Sequence, residues 1–390
     1  MTDWCAMPPM LPARSSQKPS LSDVLRGCID SVGGNESVLG LPAADRAIVV
    51  LADGLGAANL KARAGHARYL FGRLTKRSTG YTVFPSTTAA AIASLTTGEL
   101  PGIHGLVGYR VRDIDNDRVV NQLTGWDQHM IPERWQLCET LFHRAATSGI
   151  SSVAIGPRRY SASGFSRAVL RGARYVSAES IAERFASVHT VFSHTDARIV
   201  YVYVPELDIA AHATGWDSDG WLRRLEELDA GVAALDARLG THDGLIVTAD
   251  HGIVDVPQRS HVIVGDSDGD PLLSGVNHIG GDPRCLQLYL GPSATEHERN
   301  LVRERWIAAH DDSAWIFTRE DAIGVGLFGS VDNRVTDRIG DVLVAARKNV
   351  AFYDGRIVND PSRGMIGHHG SLTREETAIP VLCFGAFSRV

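Results

Sequence analysis

The chain has 390 residues, 44% of them hydrophobic and 22% charged, the composition of a globular protein with ample core material in one or two domains. A formal net charge of −6 supplies no basic footprint for a nucleic-acid backbone, so a polymeric DNA or RNA partner is not expected. Cys5, Cys28, Cys138, Cys285 and Cys383 are scattered, odd in number and without a CxxC pair, which fits neither a disulfide framework nor a thiolate zinc knuckle.

The opening "MTDWCAMPPMLPARSSQKPS" lacks the continuous apolar core of a signal peptide, and no later stretch has the length of a membrane span; a cytoplasmic protein without a membrane partner is expected. These first residues read as a flexible arm leading into a helix near "LSDVLRGCI", so that 1–45 form an N-terminal arm and helix and 46–390 the globular body. The body starts with "AIVVLADG", and the apolar runs "SSVAIGP", "ARIVYVYVPE", "GLIVTADHG", "CLQLYLG" and "AIPVLCFG" follow. Continuous runs suit strands covered on both faces, and the amphipathic segments "ERWQLCETLFHRAATSG" and "WDSDGWLRRLEELDAGVAALDARLG" suit crossover helices. The expected fold class is α/β, a mostly parallel central sheet with helices on both faces. Residues 253–365, richer in Gly, Asp and Pro until "GDVLVAARKNVAFYD", are expected to form a smaller inserted cap. Within them "GVNHIGGDPR", carrying His278 and Arg284, reads as a hairpin turn in preference to a phosphate cradle.

In open α/β sheets ligands bind beyond the carboxyl ends of strands, so the residues directly after the apolar runs are the ones to inspect. Asp53 ends the first run; "ELDIAAHATG" carries Asp208 and His212; "TADHG" carries Asp250 and His251; "GHHGS" carries His368 and His369. Each Asp alone reads as a turn former or helix cap, but together these residues are the ligand types that hold two borderline divalent ions. Asp208 and His212 lie four apart, on one face of a helical turn, whereas Asp250 and His251 are adjacent at a strand end where both can enter one cleft.

The stretch "FPSTTAAAIASLTTG", residues 84–98, sets Ser86, Thr87 and Thr88 ahead of an alanine run closed by Gly98, a short helix with a hydroxyl at its mouth. By itself this is N-capping. Coming after the strand-like "TGYTVFP", the helix would open at the same sheet edge, where its dipole and a nearby divalent ion both favour an oxyanion. A Thr hydroxyl becomes a nucleophile when its pKa is lowered in this way, and the small alanines would leave room for metals and a phosphoryl group. Two divalent ions against Asp53, Asp208, Asp250 and one alkoxide bring such a site near neutrality before an anionic phosphate ester arrives.

These segments resemble the alkaline phosphatase superfamily, and within it the nucleotide pyrophosphatase/phosphodiesterase (type I phosphodiesterase) branch. "LADGLG", "FPSTTAAAIASLTTGELPGIHGL", "ELDIAAHATG", "TADHG" and "GHHGS" occur in the order of that branch over most of the chain after residue 46. The resemblance implies an alkaline-phosphatase-like catalytic domain with Thr88 as nucleophile, on the pattern of Pro85, Thr88, Gly98, Pro101, His104 and Gly105. It implies one metal on Asp208, His212 and His369 and another on Asp53, Thr88, Asp250 and His251. The two divalent ions would be zinc, with manganese as the alternative. His369 is preferred to His368 because the family's ligand directly precedes the Gly.

Many members place an Asn three residues after the Thr to bind phosphoryl oxygens; this chain has Ala91, so another donor must serve. Tyr109, Arg158, Arg159 and Tyr160 are candidate substitutes, with Tyr109 and Arg159 the preferred substrate-binding residues. The implied activity is metal-dependent hydrolysis of a phosphodiester or nucleotide pyrophosphate through a phospho-threonine, on a small phosphate ester or nucleotide. The alternatives are a phosphomonoesterase on the same site and a metal-stabilised binding protein without catalysis.

Overall fold

The structure is a computed structural model that describes residue 11 and residues 18–265 and 269–389. Most of the expected N-terminal arm lies outside the described residues. The helix Leu21–Val32 follows it, with the Asp23 carboxylate accepting the Ser20 N–H at 3.2 Å. Leu21, Val24, Leu25 and Cys28, spaced at helical period, are fully buried.

A seven-stranded sheet forms the centre, in the order Thr79–Tyr81, Ala378–Gly385, Asp243–Thr248, Arg46–Ala52, Ile199–Val204, Ser152–Gly156, Arg174–Ser177. Arg46–Ala52 runs parallel to both of its neighbours, as does Ser152–Gly156. Ala378–Gly385 is antiparallel to both of its own, so Thr79–Tyr81 again points with the majority. The fold is therefore mixed α/β with a mostly parallel sheet flanked by helices. In Arg46–Ala52 every residue after the first is buried, which is why the strand reads as an unbroken apolar run. The long helix Asp219–Asp236 starts where Ser218 Oγ accepts the Trp221 N–H at 3.2 Å, and it lays Trp221, Leu225, Leu228, Val232 and Leu235 into the core.

Two elements differ from the sequence expectation. "CLQLYLG" forms Cys285–Leu290 in a separate antiparallel sheet, ordered Val276–Asp282, Cys285–Leu290, Val342–Ala346, Ala314–Thr318. Asp282 pairs with Cys285 across the two-residue turn Pro283–Arg284, and so short a connection can only join antiparallel strands. The run is continuous because both faces are covered: Leu286, Leu288 and Leu290 meet Val302 and Trp306, while Gln287 on the other face donates to the Val107 carbonyl of the main body at 2.7 Å. The segment "ERWQLCETLFHRAATSG" is two short helices, Pro132–Trp135 and Leu141–Thr147. Gln136 between them is extended, its side-chain oxygen accepts the Cys138 N–H, and Thr140 Oγ1 caps the second helix at His143 N–H, 3.2 Å away.

Val254–Asp255 pairs with Gly367–His368, which carries the "GHHGS" turn back to the end of Asp243–Thr248. Among the described residues no helix is long and apolar enough to cross a membrane.

Candidate active site

The carboxyl ends of the parallel strands gather the acidic and imidazole groups. Asp53 follows Arg46–Ala52, Asp250 and His251 follow Asp243–Thr248, and Asp208 and His212 lie on the helix Glu206–Thr214 after Ile199–Val204. His369 enters from the late turn, and Thr88 is the first residue of the helix Thr88–Thr97. Gly54, at φ +75°, lets the chain turn directly against Asp208: a Cβ there would lie 3.1 Å from the Asp208 Cβ.

All three imidazoles are oriented in the same way. Nδ1–H of His212 donates to the Gly367 carbonyl at 2.8 Å, that of His251 to Gly252 at 3.1 Å, and that of His369 to Ser86 at 2.9 Å. Each Nε2 therefore faces the cluster, the arrangement expected of metal-ligating histidines. His251 Nε2 lies 3.2 Å from Thr88 Oγ1, 3.3 Å from Asp250 Oδ2 and 3.4 Å from Asp53 Oδ1. His212 Nε2 lies 3.2 Å from Asp208 Oδ2, and His369 Nε2 lies 3.8 Å from Asp208 Oδ1. The His251 and His369 rings stack with centroids 3.5 Å apart.

Burial, reinforced by the charges of Asp250 and Asp208, pushes the Asp53 carboxyl well above its ordinary range. Burial would also raise Asp208, but His212, with His369 and His251, holds it below the usual carboxylate range. Burial opposes protonation of His212, yet Asp208 lifts it to about 9, and His369 is driven down by burial and by His251.

Asp53 Oδ1, Asp208 Oδ1 and Asp250 Oδ2 are buried with no hydrogen-bond partner. Three orphaned carboxylate oxygens beside three Nε2 atoms, all N or O donors without a thiolate, fit divalent borderline ions. Two ligand groups converge, Asp208 with His212 and His369, and Asp53 with Asp208 and His251, so Asp208 stands between them. Asp250 is held in place through its other oxygen, which accepts the Gly54 N–H at 3.1 Å and the His251 N–H at 3.0 Å.

At the helix mouth Thr87 is the N-cap residue, but its side chain makes no capping bond. Ser86 instead fastens the opposite turn: its Oγ donates to the Ser371 carbonyl at 2.7 Å and accepts the Gly370 N–H at 3.2 Å. Ala89, Ala90, Ala91 and Ala93 are fully buried, so the small side chains let the helix run through the core.

The remaining singled-out residues stand elsewhere. His368 accepts from the Tyr353 hydroxyl at 2.6 Å and faces the short parallel pair His261–Val264 and Ala351–Asp354. His104 is structural: Nδ1 accepts the Leu106 N–H at 3.1 Å and Nε2–H donates to Ser94 Oγ at 2.8 Å. Arg284 pairs with buried Glu376 at 2.8 and 3.1 Å, and His278 pairs with Asp117 at 3.0 Å. Arg158 is exposed and its backbone N–H bonds Glu179 at 3.1 Å. The Arg159 guanidinium lies 4.7 Å over the Tyr160 ring, at the wall of a cavity beside Thr88. Tyr109 is half-buried on the other side, within the field of Asp282.

Two groups were missed in the sequence. The Tyr203 hydroxyl donates to Asp53 Oδ2, a contact foreshadowed only by the alternation of "IVYVYV", which sets Tyr201 and Tyr203 on one strand face. Asp282, in the hairpin turn of the second sheet, is pushed up to about 7 by burial and has an unpartnered Oδ2. It abuts Gly370, next to His369: a Cβ at Gly370 would lie 2.9 Å from the Asp282 Cβ. "GGDPR" carries no signal for it beyond a turn.

A hydroxyl at a helix N-terminus, ringed by buried carboxylates and imidazoles at the edge of a mostly parallel sheet, is an arrangement able to bring an oxygen nucleophile and metal ligands to one phosphoester. The fold agrees. Murine ectonucleotide pyrophosphatase/phosphodiesterase 5 superposes with a TM-score of 0.65 at 17% identity, over 87% of this chain and 88% of that one. Phosphonoacetate hydrolase from Sinorhizobium meliloti 1021, in complex with phosphonoformate, gives 0.66 at 18% identity, over 88% and 91%. The murine protein is also known as an inactive variant in complex with AMP. No curated protein sequence matches this chain. Residues 47–372 match the type I phosphodiesterase/nucleotide pyrophosphatase family, and the chain belongs to that family.

Proposed function

We propose that this chain hydrolyses small phosphodiesters or nucleotide pyrophosphate linkages through a phospho-threonine on Thr88, with two divalent ions as cofactors, zinc by preference and manganese as the alternative. The observation that carries this reading is the convergence of Thr88 Oγ1, 3.2 Å from His251 Nε2, with three orphaned carboxylate oxygens. Asp208, His212 and His369 would hold one ion, and Asp53, Asp250 and His251 with Thr88 the other. Bound there, the ions supply positive charge that lowers the hydroxyl pKa and offsets charge on the phosphoryl oxygens.

The chain's own residues do the rest. Thr88 gives up its hydroxyl proton to water, Oγ1 attacks phosphorus in line, the Oγ–P bond forms, and the bond to the ester oxygen breaks, that oxygen taking a proton from water to leave as the alcohol. Ala91 is buried in the core and supplies nothing to the phosphoryl group, so the first-turn amides at the mouth of Thr88–Thr97 take the place of the family's Asn. Tyr203 fixes Asp53, Ser86 fixes the His369 ring, and water then cleaves the phospho-threonine to restore Thr88.

The deciding experiment is Thr88→Ala with bis-p-nitrophenyl phosphate as substrate. Turnover is expected to fall by roughly three orders of magnitude with metal content unchanged, as for loss of a covalent nucleophile. Acid quenching of the natural enzyme during turnover should trap phosphate on the peptide bearing Thr88. Full activity in Thr88→Ala would return this stretch to simple helix initiation.

A further inference from the structure

The chain between Lys61 and Arg77 carries Lys61, Arg63, Arg68, Arg73, Lys76 and Arg77 without one Asp or Glu, although acidic residues outnumber Lys and Arg by 45 to 39 over the whole sequence. Arg68 belongs to the short helix Arg68–Phe71, and Arg73, Lys76 and Arg77 to the turn that leads from it into the edge strand Thr79–Tyr81. All four are exposed. The turn is braced from within: Ser78 Oγ accepts the Thr75 N–H at 2.7 Å and donates to the Arg73 carbonyl at 2.8 Å, while Thr75 Oγ1 accepts the Arg77 and Ser78 N–H groups at 3.2 and 3.1 Å. Its cations are therefore carried on a fixed backbone.

The acidic groups bordering this segment are turned inward. Asp229 accepts the Tyr69 and Leu70 N–H groups at 3.3 and 2.8 Å, Asp236 accepts the Tyr69 hydroxyl, and Glu226 faces His66 at 2.8 Å. Arg73 lies 5.4 Å over the Phe384 ring, and Arg68, Lys76 and Arg77 make no ion pair among the described residues. Phe71, between Arg68 and Arg73 in the chain, is 37% exposed. Because Thr79–Tyr81 points with the majority of the sheet, the turn before it lies at the amino edge, opposite the edge that carries Thr88 and the carboxylates.

We propose that this turn docks the protein on an anionic phospholipid surface, with Phe71 among the headgroups and the catalytic edge facing away into solution. Uncompensated cations around an exposed aromatic match both parts of such a surface, its charge and its apolar boundary. A polynucleotide would want successive aromatics on which bases can stack, and this turn exposes one. The formal net charge of −6 repels an anionic surface from most of the molecule, so the orientation in which the basic turn leads is favoured. Docking of this kind needs no spanning helix, the absence of which underlies the sequence expectation of no membrane partner.

Cosedimentation with phosphatidylcholine vesicles, plain or containing about 30% phosphatidylserine, measures the contact at an ionic strength where the Debye length is about 10 Å. The natural chain should partition onto the anionic vesicles at least about tenfold more strongly than onto the neutral ones. Lys76→Glu with Arg77→Glu should lower that partition at least about thirtyfold, since each cation near the surface is worth roughly fivefold. Phe71→Ser should lower it about threefold or more. Arg259→Glu with Lys348→Glu, the same charge change at exposed positions outside the turn, should lower it by less than about threefold. The urea midpoint and the hydrolysis rate of both double variants should match those of the natural chain; if the first is destabilised, Lys76→Gln with Arg77→Gln replaces it, with a loss of at least about tenfold expected. Equal partition onto neutral and anionic vesicles, no binding to either, or equal losses in the two charge-reversed variants overturns the inference. So does binding of an oligouridylate that Lys76→Glu with Arg77→Glu abolishes while vesicle binding survives. The proposal does not depend on the role of Thr88: a natural chain without hydrolysis that still shows this order of partition would overturn the phosphoesterase reading alone.

Discussion

At the scale of single residues, the site depends on side chains that never meet substrate. Ser86 holds the turn after His369 by two hydrogen bonds, and its carbonyl receives Nδ1–H of His369 itself. As a simple neighbour of the nucleophile it would matter only for helix initiation. From its observed bonds, Ser86→Ala should cost about 1–3 kcal/mol, the penalty of leaving buried partners unpaired, measurable by urea unfolding. It should also lower metal occupancy in elemental analysis, because the His369 turn loses its anchor. Thr88→Ser retains an oxygen at the helix mouth and is expected to keep measurable activity, weakened by looser positioning of a side chain without the methyl group. A Thr88→Ser protein as inert as Thr88→Ala would mean that the oxygen is not the reacting atom.

At the scale of elements, the second sheet is tied to the central one by its hairpin. Arg284 in the turn reaches Glu376, which in turn accepts the Ser371 N–H at 3.0 Å beside the "GHHGS" loop. Both charges are buried, with side chains 1% and 0% exposed. Arg284→Ala would leave Glu376 buried and unpaired, a change expected to cost about 3–5 kcal/mol in chemical denaturation. The Arg284→Met and Glu376→Leu double variant should recover much of that loss, since an apolar pair of similar volume removes both charges. The same hairpin brings Asp282 against Gly370, so the second sheet is also part of the site's wall.

At the scale of the whole molecule, the carboxylates gathered at one sheet edge make stability depend on what occupies that edge. Asp53, Asp208 and Asp250 are buried together with unpartnered oxygens, so ions that bind the folded chain and not the unfolded one should stabilise it by mass action. Chelation is expected to lower Tm, and re-addition of zinc to restore it; at a free ion concentration about a hundred times Kd the effect is ~2.7 kcal/mol. An unchanged Tm on chelation, with two ions removed by analysis, would show that the carboxylates are satisfied by protons and not by metal. Much of this architecture was legible in the sequence. The strands through Asp53, Asp250 and the segment before Asp208 are covered on both faces, so they show as unbroken apolar runs ending in charge. The four-residue spacing of Asp208 and His212 sets one helix face, and both residues meet in the folded chain at 3.2 Å. "CLQLYLG" shows why such runs mislead: any strand covered on two faces looks the same, and only its two-residue turn assigns it to an antiparallel sheet. Local order thus followed from the sequence, because periodicity, caps and turns act between near neighbours. The tertiary structure alone decided what depends on contacts between distant segments: Ser86 under His369, Tyr203 on Asp53, Asp282 beside Gly370 and the cavity next to Thr88.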